Sequence, residues 1–326
     1  MALVKTAPDT AASVALAGYE DVVRRLLASA LSEGTRRVYR IKLGLFGRWC
    51  ADRGVSPLPA STETILAYVG DLAQRGVSVS TMTQALAAIS AAHRAAQVPS
   101  PTSDFYVQQA VRGYRRERGV APRRATAATG EIVKRMIRAL LDGGRLRDLR
   151  DATLLSVGFA GAFRRSELVA LDLDCLSWDE RDGREVALVQ IRRSKTDQEG
   201  QGMVKAIFAT DDPGCSPTLL LRRWLDAAAI SEGAIFRRIR KGGHIEKLRL
   251  DGQSVGLAVQ RAAAAAGLGM ELTAHSLRSG FITSAIRRGL TERAVMHQTG
   301  HKTTAVMRGY YERENAIEDN AGRGVW

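Results

Sequence analysis

The sequence predicts a mainly α-helical protein with one small antiparallel β-sheet, built as an all-α N-terminal domain followed by a mixed α/β domain. Three observations predict it. Apolar residues recur at helical spacing, with Ser, Thr or Asp ahead of each run and Gly or Pro behind it, across residues 12–118. β-forming segments occur in one cluster only, between residues 173 and 209. The chain of 326 residues is long enough for two domains with sizeable cores. The boundaries read as a helical domain over 12–118, a basic linker over 119–129, and a second domain with a tail over 130–326.

Residues 1–11 are small and polar. A first helical pattern begins near Ala12 and runs past Leu31, with Val22, Leu26 and Leu27 on one face. A second follows Ser32, with Val38, Leu43, Phe46 and Trp49 apolar and Arg36, Arg37, Arg40 and Lys42 opposite. Ser61 caps a third, with Ile65, Leu66, Val69 and Leu72 inward, and Gly76 ends it. Ser80 or Thr81 caps a fourth, with Met82, Leu86 and Ile89 inward, stopped before Pro99. A fifth starts at Ser103 or Asp104 and runs to about Arg118. Gly119, Pro122 and a run of small residues then mark the linker, and Arg115, Arg116, Arg118, Arg123 and Arg124 make the segment 115–129 strongly basic.

The second domain opens with helices over 132–141 and 149–159, then G-A-F-R-R-S-E-L at 161–168. Strands are expected over 173–178, 186–191 and 203–209, with a turn at Asp182 and Gly183 and a hairpin tip over 194–202. Ser216–Pro217 opens a helix with a favoured cap and Pro at its first position. Another covers 254–266. Three short helices follow, capped by Thr273, Thr291 and Thr303, the first two closed by Gly289 and Gly300.

The 48 basic residues against 34 acidic ones give a formal charge of +14, and a pI of about 10.2. Of the bases 40 are Arg and 8 are Lys, a bias that a GC-rich genome would give, but such bias does not explain the excess over acids. The excess points to a polyanionic partner, nucleic acid first. Three scattered cysteines, Cys50, Cys175 and Cys215, form neither a disulfide framework nor a zinc motif. With no signal peptide and no run of 18 apolar residues, the expected location is the cytoplasm and no membrane is expected as a partner.

Residues 273–311 hold His275, His297 and His301 and the adjacent Tyr310 and Tyr311. His275 and Arg278 are three apart, so they share one face at a helix N-terminus, which suits a phosphate. A tyrosine hydroxyl nearby is a possible nucleophile. His297 reads as a partly buried packing residue and His244 as a loop residue. Taken singly, Arg164, Glu167, Lys195, His275, Arg278, His301 and Tyr310 each have an ordinary surface or packing explanation; their order in the chain is what carries weight.

In that order the sequence resembles the tyrosine recombinase family, the phage-type integrases. G-A-F-R-R-S-E-L matches the family's first arginine box at Arg164, with the supporting acid at Glu167. Lys195, in Ser194-Lys195-Thr196, falls at the hairpin tip where the family keeps its catalytic lysine. His275-Ser276-Leu277-Arg278 matches its HxxR, Gly300-His301 its GH, and Tyr310 stands nine residues after His301, the offset of the nucleophile. V-S-V-S-T-M-T-Q-A-L-A-A-I-S-A-A-H-R-A-A, over 77–96, resembles the Cre-like branch. The N-terminal half then corresponds to the family's core-binding, SAM-like domain and residues 130–326 to its catalytic domain.

The resemblance implies a site-specific recombinase that cuts and reseals DNA through a 3′-phosphotyrosyl intermediate and a Holliday junction. Arg164 and Arg278 would grip the non-bridging oxygens, His275 and His301 would donate to them or move a proton, and Tyr310 would attack. Lys195 would protonate the departing 5′-oxygen. No ATP, metal or other cofactor is expected. Recombination sites on double-stranded DNA are the implied partner, bound by a homotetramer that is a monomer in free solution. Arg36, Arg37, Arg40, Lys42, Thr81, Arg115, Arg116, Arg123 and Arg124 are the candidate DNA contacts. The resemblance also implies a C-terminal segment donated to a neighbouring protomer, for which residues 314–326 are the candidate, a frayed tail being the alternative. A helix starting near Ala12 leaves no room for an arm-binding domain. Two rivals use the same residues or fold: a type IB topoisomerase, and a DNA-binding accessory protein without chemistry.

Overall fold

The computed structural model describes residues 30–119, 126–191, 202–301, 303–304, 307 and 309–311. Lys195, Arg123, Arg124, the helix expected from Ala12 as far as residue 29, residues 194–201 of the hairpin tip and residues 314–326 lie outside them. Ala30 and Leu31, over which that helix is expected to continue, are not helical. The chain divides into two compact units, Met1–Pro122 and Arg123–Trp326.

The first unit is helical throughout its described part: α1 (Glu33–Ala51), α2 (Thr62–Gln74), α3 (Val79–Ala95), a 3-10 turn over Pro101–Ser103, and α4 (Phe105–Arg118). Ser32, Ser61 and Asp104 cap α1, α2 and α4, each side chain accepting a backbone N–H of the first turn. The fourth cap differs from expectation. Ser78, not Ser80 or Thr81, accepts the Thr81 amide at 3.1 Å, so Thr81 is the third residue of α3. Three hydroxyl residues in four offer competing registers, and the one that buries Met82, Ala85 and Ile89 together prevails. The core is built on an aromatic trio, with Tyr68 placed 4.9 Å from Phe46 and 5.1 Å from Trp49 between ring centroids.

The second unit contains α5 (Gly130–Leu141), α6 (Leu146–Ala160), the short α7 (Arg165–Val169), β1 (Leu176–Arg181), β2 (Arg184–Ile191), β3 (Met203–Phe208), α8 (Pro217–Ala227), β4 (Arg237–Ile239), β5 (Ile245–Arg249), α9 (Gly252–Ala265), α10 (Ala274–Arg287) and α11 (Glu292–Thr299). Residues 304, 307 and 309–311 are helical. The sheet is antiparallel in the order β1-β2-β3, as expected, with Arg181 opposite Arg184 across the Asp182–Gly183 turn. Both turn residues have positive φ, 53° and 70°, the geometry of a tight hairpin. The first strand starts later than expected because residues 173–175 form a 3-10 turn. The second hairpin, β4 with β5, is not among the predicted elements; its strands are short and rich in Arg and Lys, so no apolar alternation marks them.

α6 runs through the centre of this unit with all residues from Asp148 to Gly158 buried. α10 crosses the segment 126–129 closely: a Cβ on Gly280 would lie 1.8 Å from the Ala128 carbonyl oxygen, while the Ala128 amide donates to the Ser276 carbonyl at 3.0 Å. This crossing fixes where the N-terminal end of α10 points. No described helix is long and apolar enough to cross a membrane.

Candidate active site

The site is assembled around the turn Gly161–Ala162–Phe163 at the C-terminal end of α6. Gly161 is required there, since a Cβ would meet the Phe163 ring at 2.2 Å. Ala162 adopts φ +45°, a left-handed conformation unusual for a residue with a Cβ. The turn releases Arg164 immediately before α7. Glu167 is buried within α7 and grips Arg164 twice: Oε2 accepts its backbone amide at 2.9 Å and Oε1 its Nη1 at 2.6 Å. Burial alone would raise the Glu167 carboxyl. The Arg164 amide, Lys205 and the Arg164 guanidinium outweigh it and hold the group below the usual range.

Arg278 comes from α10, whose start is fixed by Thr273: its Oγ1 accepts the His275 amide at 3.2 Å, and Ser276 Oγ accepts the Thr273 amide at 2.9 Å. The Arg278 side chain is buried, donates from Nη1 to the Ala162 carbonyl at 2.6 Å, and places Nη2 3.0 Å from His301 Nε2. Burial, then the Arg164 charge, lowers its pKa to about 10, while Glu167 and Tyr310 oppose that shift. His275 lies one turn earlier, exposed, its pKa lowered by loss of solvent on its inner side and then by Arg278 and Arg164.

His301 follows Gly300, which ends α11 in the left-handed conformation at φ 67°. Thr299 Oγ1 donates to the Val295 carbonyl at 2.7 Å and therefore accepts from His301 Nδ1, 2.9 Å away. This places the ring proton on Nδ1 and leaves Nε2 as the acceptor for Arg278. Burial, then Arg278, Arg164, His275 and Lys205, lowers the pKa of His301 to about 4. Both histidines are thus neutral at pH 7.

The two tyrosines part company. Tyr311 donates its hydroxyl to the Leu290 carbonyl at 3.2 Å, and burial followed by Glu292 raises its pKa. Tyr310 packs on the cluster of Ile282, Ala285, Ile286, Val295 and Met307, and its hydroxyl is near enough to bear on the charge of Arg278. Arg164, Glu167, His275, Arg278, His301 and Tyr310 are therefore brought to one place. His297, expected to be partly buried, is instead exposed on α11, because the inward face is taken by Val295 and Thr299. His244 is an exposed loop residue, as expected.

Three participants were not foreseen. Lys205 on β3 reaches the site from behind, with Nζ 2.7 Å from the Gly161 carbonyl. Thr299 orients His301. Gln298 Nε2 ties the Ala160 and Ala206 carbonyls together at 2.9 and 3.1 Å. A signal existed for Lys205: it alternates with Met203 and Ile207 on the apolar side of a strand.

Of the candidate DNA contacts, Arg36, Arg37 and Arg40 are exposed on α1, with Lys42 half-buried beside them. Thr81 is half-buried and accepts from Ser78 Oγ at 2.9 Å. Arg115 and Arg116 are exposed in the last turn of α4. A further basic cleft of about 520 Å³ in the second unit is lined by Arg147, Arg150, Arg238, Arg240 and Arg261, with Glu246 and Asp251.

Residues 128–316 match the phage integrase family, and residues 24–97 the N-terminal SAM-like domain of phage integrases. The chain belongs to the phage integrase family. It is 35% identical over 302 residues to the integrase/recombinase xerD homolog of Selenomonas ruminantium, covering 91% of this chain and 87% of that one. It is 26% identical over 220 residues to recombinase cre of Escherichia phage P1, covering 66% and 62%. Among solved structures, a lambda integrase tetramer bound to a Holliday junction matches with a TM-score of 0.56 at 18% identity, over 94% of this chain and 81% of that one. These relatives are tyrosine recombinases, and the fold is theirs.

Proposed function

We propose that this phage integrase family member is a site-specific recombinase that cleaves and rejoins DNA strands through a covalent bond to Tyr310. One observation supports this most directly: two guanidinium groups and two neutral histidines converge beside Tyr310, while the hydroxyl of Tyr311 is bound elsewhere. Such a cluster suits a phosphodiester passing through a five-coordinate state. Arg164 and Arg278 carry the charge that develops on the non-bridging oxygens. His275, neutral, accepts the phenolic proton, or donates once it is taken; His301 does the same only when its Nε2 parts from Arg278. Tyr310 Oη attacks phosphorus, the P–O5′ bond breaks, and the products are a 3′-phosphotyrosyl ester and a 5′-hydroxyl. Lys195, outside the described residues, is the proposed donor to the departing oxygen. A 5′-hydroxyl from a second strand reverses the step, so bond energy is conserved and strands are exchanged through a Holliday junction.

Exchange between two duplexes cut on both sides needs four protomers, so the proposed assembly is a homotetramer on recombination sites formed from monomers. The strongly basic composition supports double-stranded DNA as the partner. The test is covalent trapping. The protein is incubated with DNA flanking its own gene, nicked so that the cut end diffuses away, and SDS-resistant adducts are mapped by mass spectrometry. The expected result is a phosphotyrosyl peptide at Tyr310 that Tyr310→Phe abolishes and Tyr311→Phe retains. Tight binding with no adduct would overturn the proposal in favour of an accessory DNA-binding role.

A further inference from the structure

β3 alternates cleanly. Val204 and Phe208 are exposed at 52% and 48%, whereas Ile207 is buried at 1%. Lys205 lies on the buried side with Ile207, also 1% exposed. A lysine in such a position normally runs its stem along apolar surface and returns its ammonium to water. This one goes inward. Nζ donates to the Gly161 carbonyl at 2.7 Å, stands 3.4 Å from the Ala162 carbonyl and 3.9 Å from Glu167 Oε2, and sits 4.7 Å from the centre of the Phe163 ring. Three ammonium protons thus face three oxygen acceptors and an aromatic face. The Ala162 carbonyl that Lys205 approaches is the one Arg278 binds at 2.6 Å, and the Glu167 carboxylate it approaches is the one that holds Arg164. Arg278 is therefore anchored to a carbonyl that Lys205 also contacts, and the Arg164 guanidinium to the other oxygen of the carboxylate that Lys205 approaches.

We propose that Lys205 is a positioning residue for strand cleavage, its ammonium fixing the Gly161–Ala162 carbonyls and Glu167 so that Arg164 and Arg278 are held ready for the phosphate. The inference rests on the cleavage reading above. Burial of a charge is costly, and an apolar residue would fill this strand position at least as well for stability alone. The groups that face the ammonium are Glu167 on α7, Arg164 before it, Arg278 on α10 and His301 after α11. Burial lowers the pKa of Lys205 to about 7, with Glu167 opposing and Arg278 and Arg164 adding to the shift. The ammonium is present below that pH and is lost as pH rises through it, so its contribution to cleavage declines on the alkaline side.

The test uses the full chain and a nicked duplex carrying the site recovered by trapping. Rates of adduct formation at saturating protein are followed from pH 6 to 9, with DNA affinity and thermal melting alongside. Lys205→Met keeps the length of the side chain without the charge, and Gln298 still ties β3 to the end of α6. This variant is expected to melt cooperatively, to bind DNA within about twofold of wild type, and to cleave about 100-fold more slowly. The decline near pH 7 is expected to vanish. Lys205→Arg carries a charge that does not titrate, so it is expected to recover most of the rate and to lack that decline too. A folded Lys205→Met that cleaves at the wild-type rate, or either folded variant that keeps the wild-type decline, overturns the inference. If the methionine variant does not fold, the arginine variant decides on its pH profile; if neither folds, Lys205 serves stability alone and the inference falls. A wild-type protein that forms no adduct fails the cleavage reading instead, whatever Lys205 does.

Discussion

His301 shows how much of the candidate chemistry is set by one hydrogen bond. Its tautomer follows from Thr299, whose hydroxyl gives its only proton to the Val295 carbonyl and can then only accept. Thr299→Val keeps the shape and removes the acceptor, leaving a half-buried Nδ1–H without it. The expected cost is about 1–3 kcal/mol of stability, read from urea melts. With the ring free to turn, cleavage is expected to fall about tenfold. The pH dependence has a definite sign. The folded-state pKa of His301, about 4, lies below the unfolded value of about 6.5. Between those values the unfolded chain binds more protons, so stability is lost as pH falls through the window. Wild type should therefore lose stability relative to His301→Gln as pH drops from 6.5 towards 4. A constant difference between the two proteins over that range would refute the assignment.

At the scale of elements, the site depends on a turn and a crossing. Gly280 lets α10 pass against the Ala128 backbone, and a Cβ there cannot be accommodated by rotating a side chain, because the obstacle is a carbonyl oxygen. Gly280→Ala is expected to destabilise the protein by about 3 kcal/mol and to displace Arg278 with the helix. Thermal melting and adduct formation should fall together, and a variant that melts like wild type would show that the two segments are not in fixed contact. Neither constraint was readable in advance, because a close approach of distant backbones leaves no local mark. What was readable is what local chemistry decides. Ser32, Ser61, Asp104, Thr273 and Thr291 are caps because a side-chain oxygen meets amides two or three residues on. The first hairpin followed from Asp182–Gly183 between β-forming runs. The Arg164, Glu167, Arg278 and His301 cluster was legible as an ordered set of motifs, whereas Gln298 enters through tertiary contacts alone, Thr299 through a local contact to His301 two residues on, and Lys205 through its place on the buried side of a strand. The β4–β5 hairpin has Gly242 and Gly243 at its turn as its sole sequence mark, because charged residues crowd both strands.

At the scale of the whole molecule, the net charge of +14 converts into a measurable property. Each phosphate neutralised by a basic side chain releases counterions, so the logarithm of DNA affinity falls with that of salt at about 0.9 per contact. Arg36, Arg37 and Arg40 are exposed on α1, within little more than one helical turn, so a backbone could meet all three. Replacing the three by alanine is expected to weaken binding to specific and unrelated duplexes alike and to lower the salt slope by about 2 to 3. Fluorescence anisotropy between 50 and about 200 mM salt would measure both. An unchanged slope would show that α1 does not lie on phosphates. A loss confined to the specific duplex would show that it reads bases instead, since phosphate contacts carry no sequence information. Either result would be independent of the chemistry at Tyr310, because binding precedes the covalent step and is measured with Tyr310→Phe as well as with the wild-type chain.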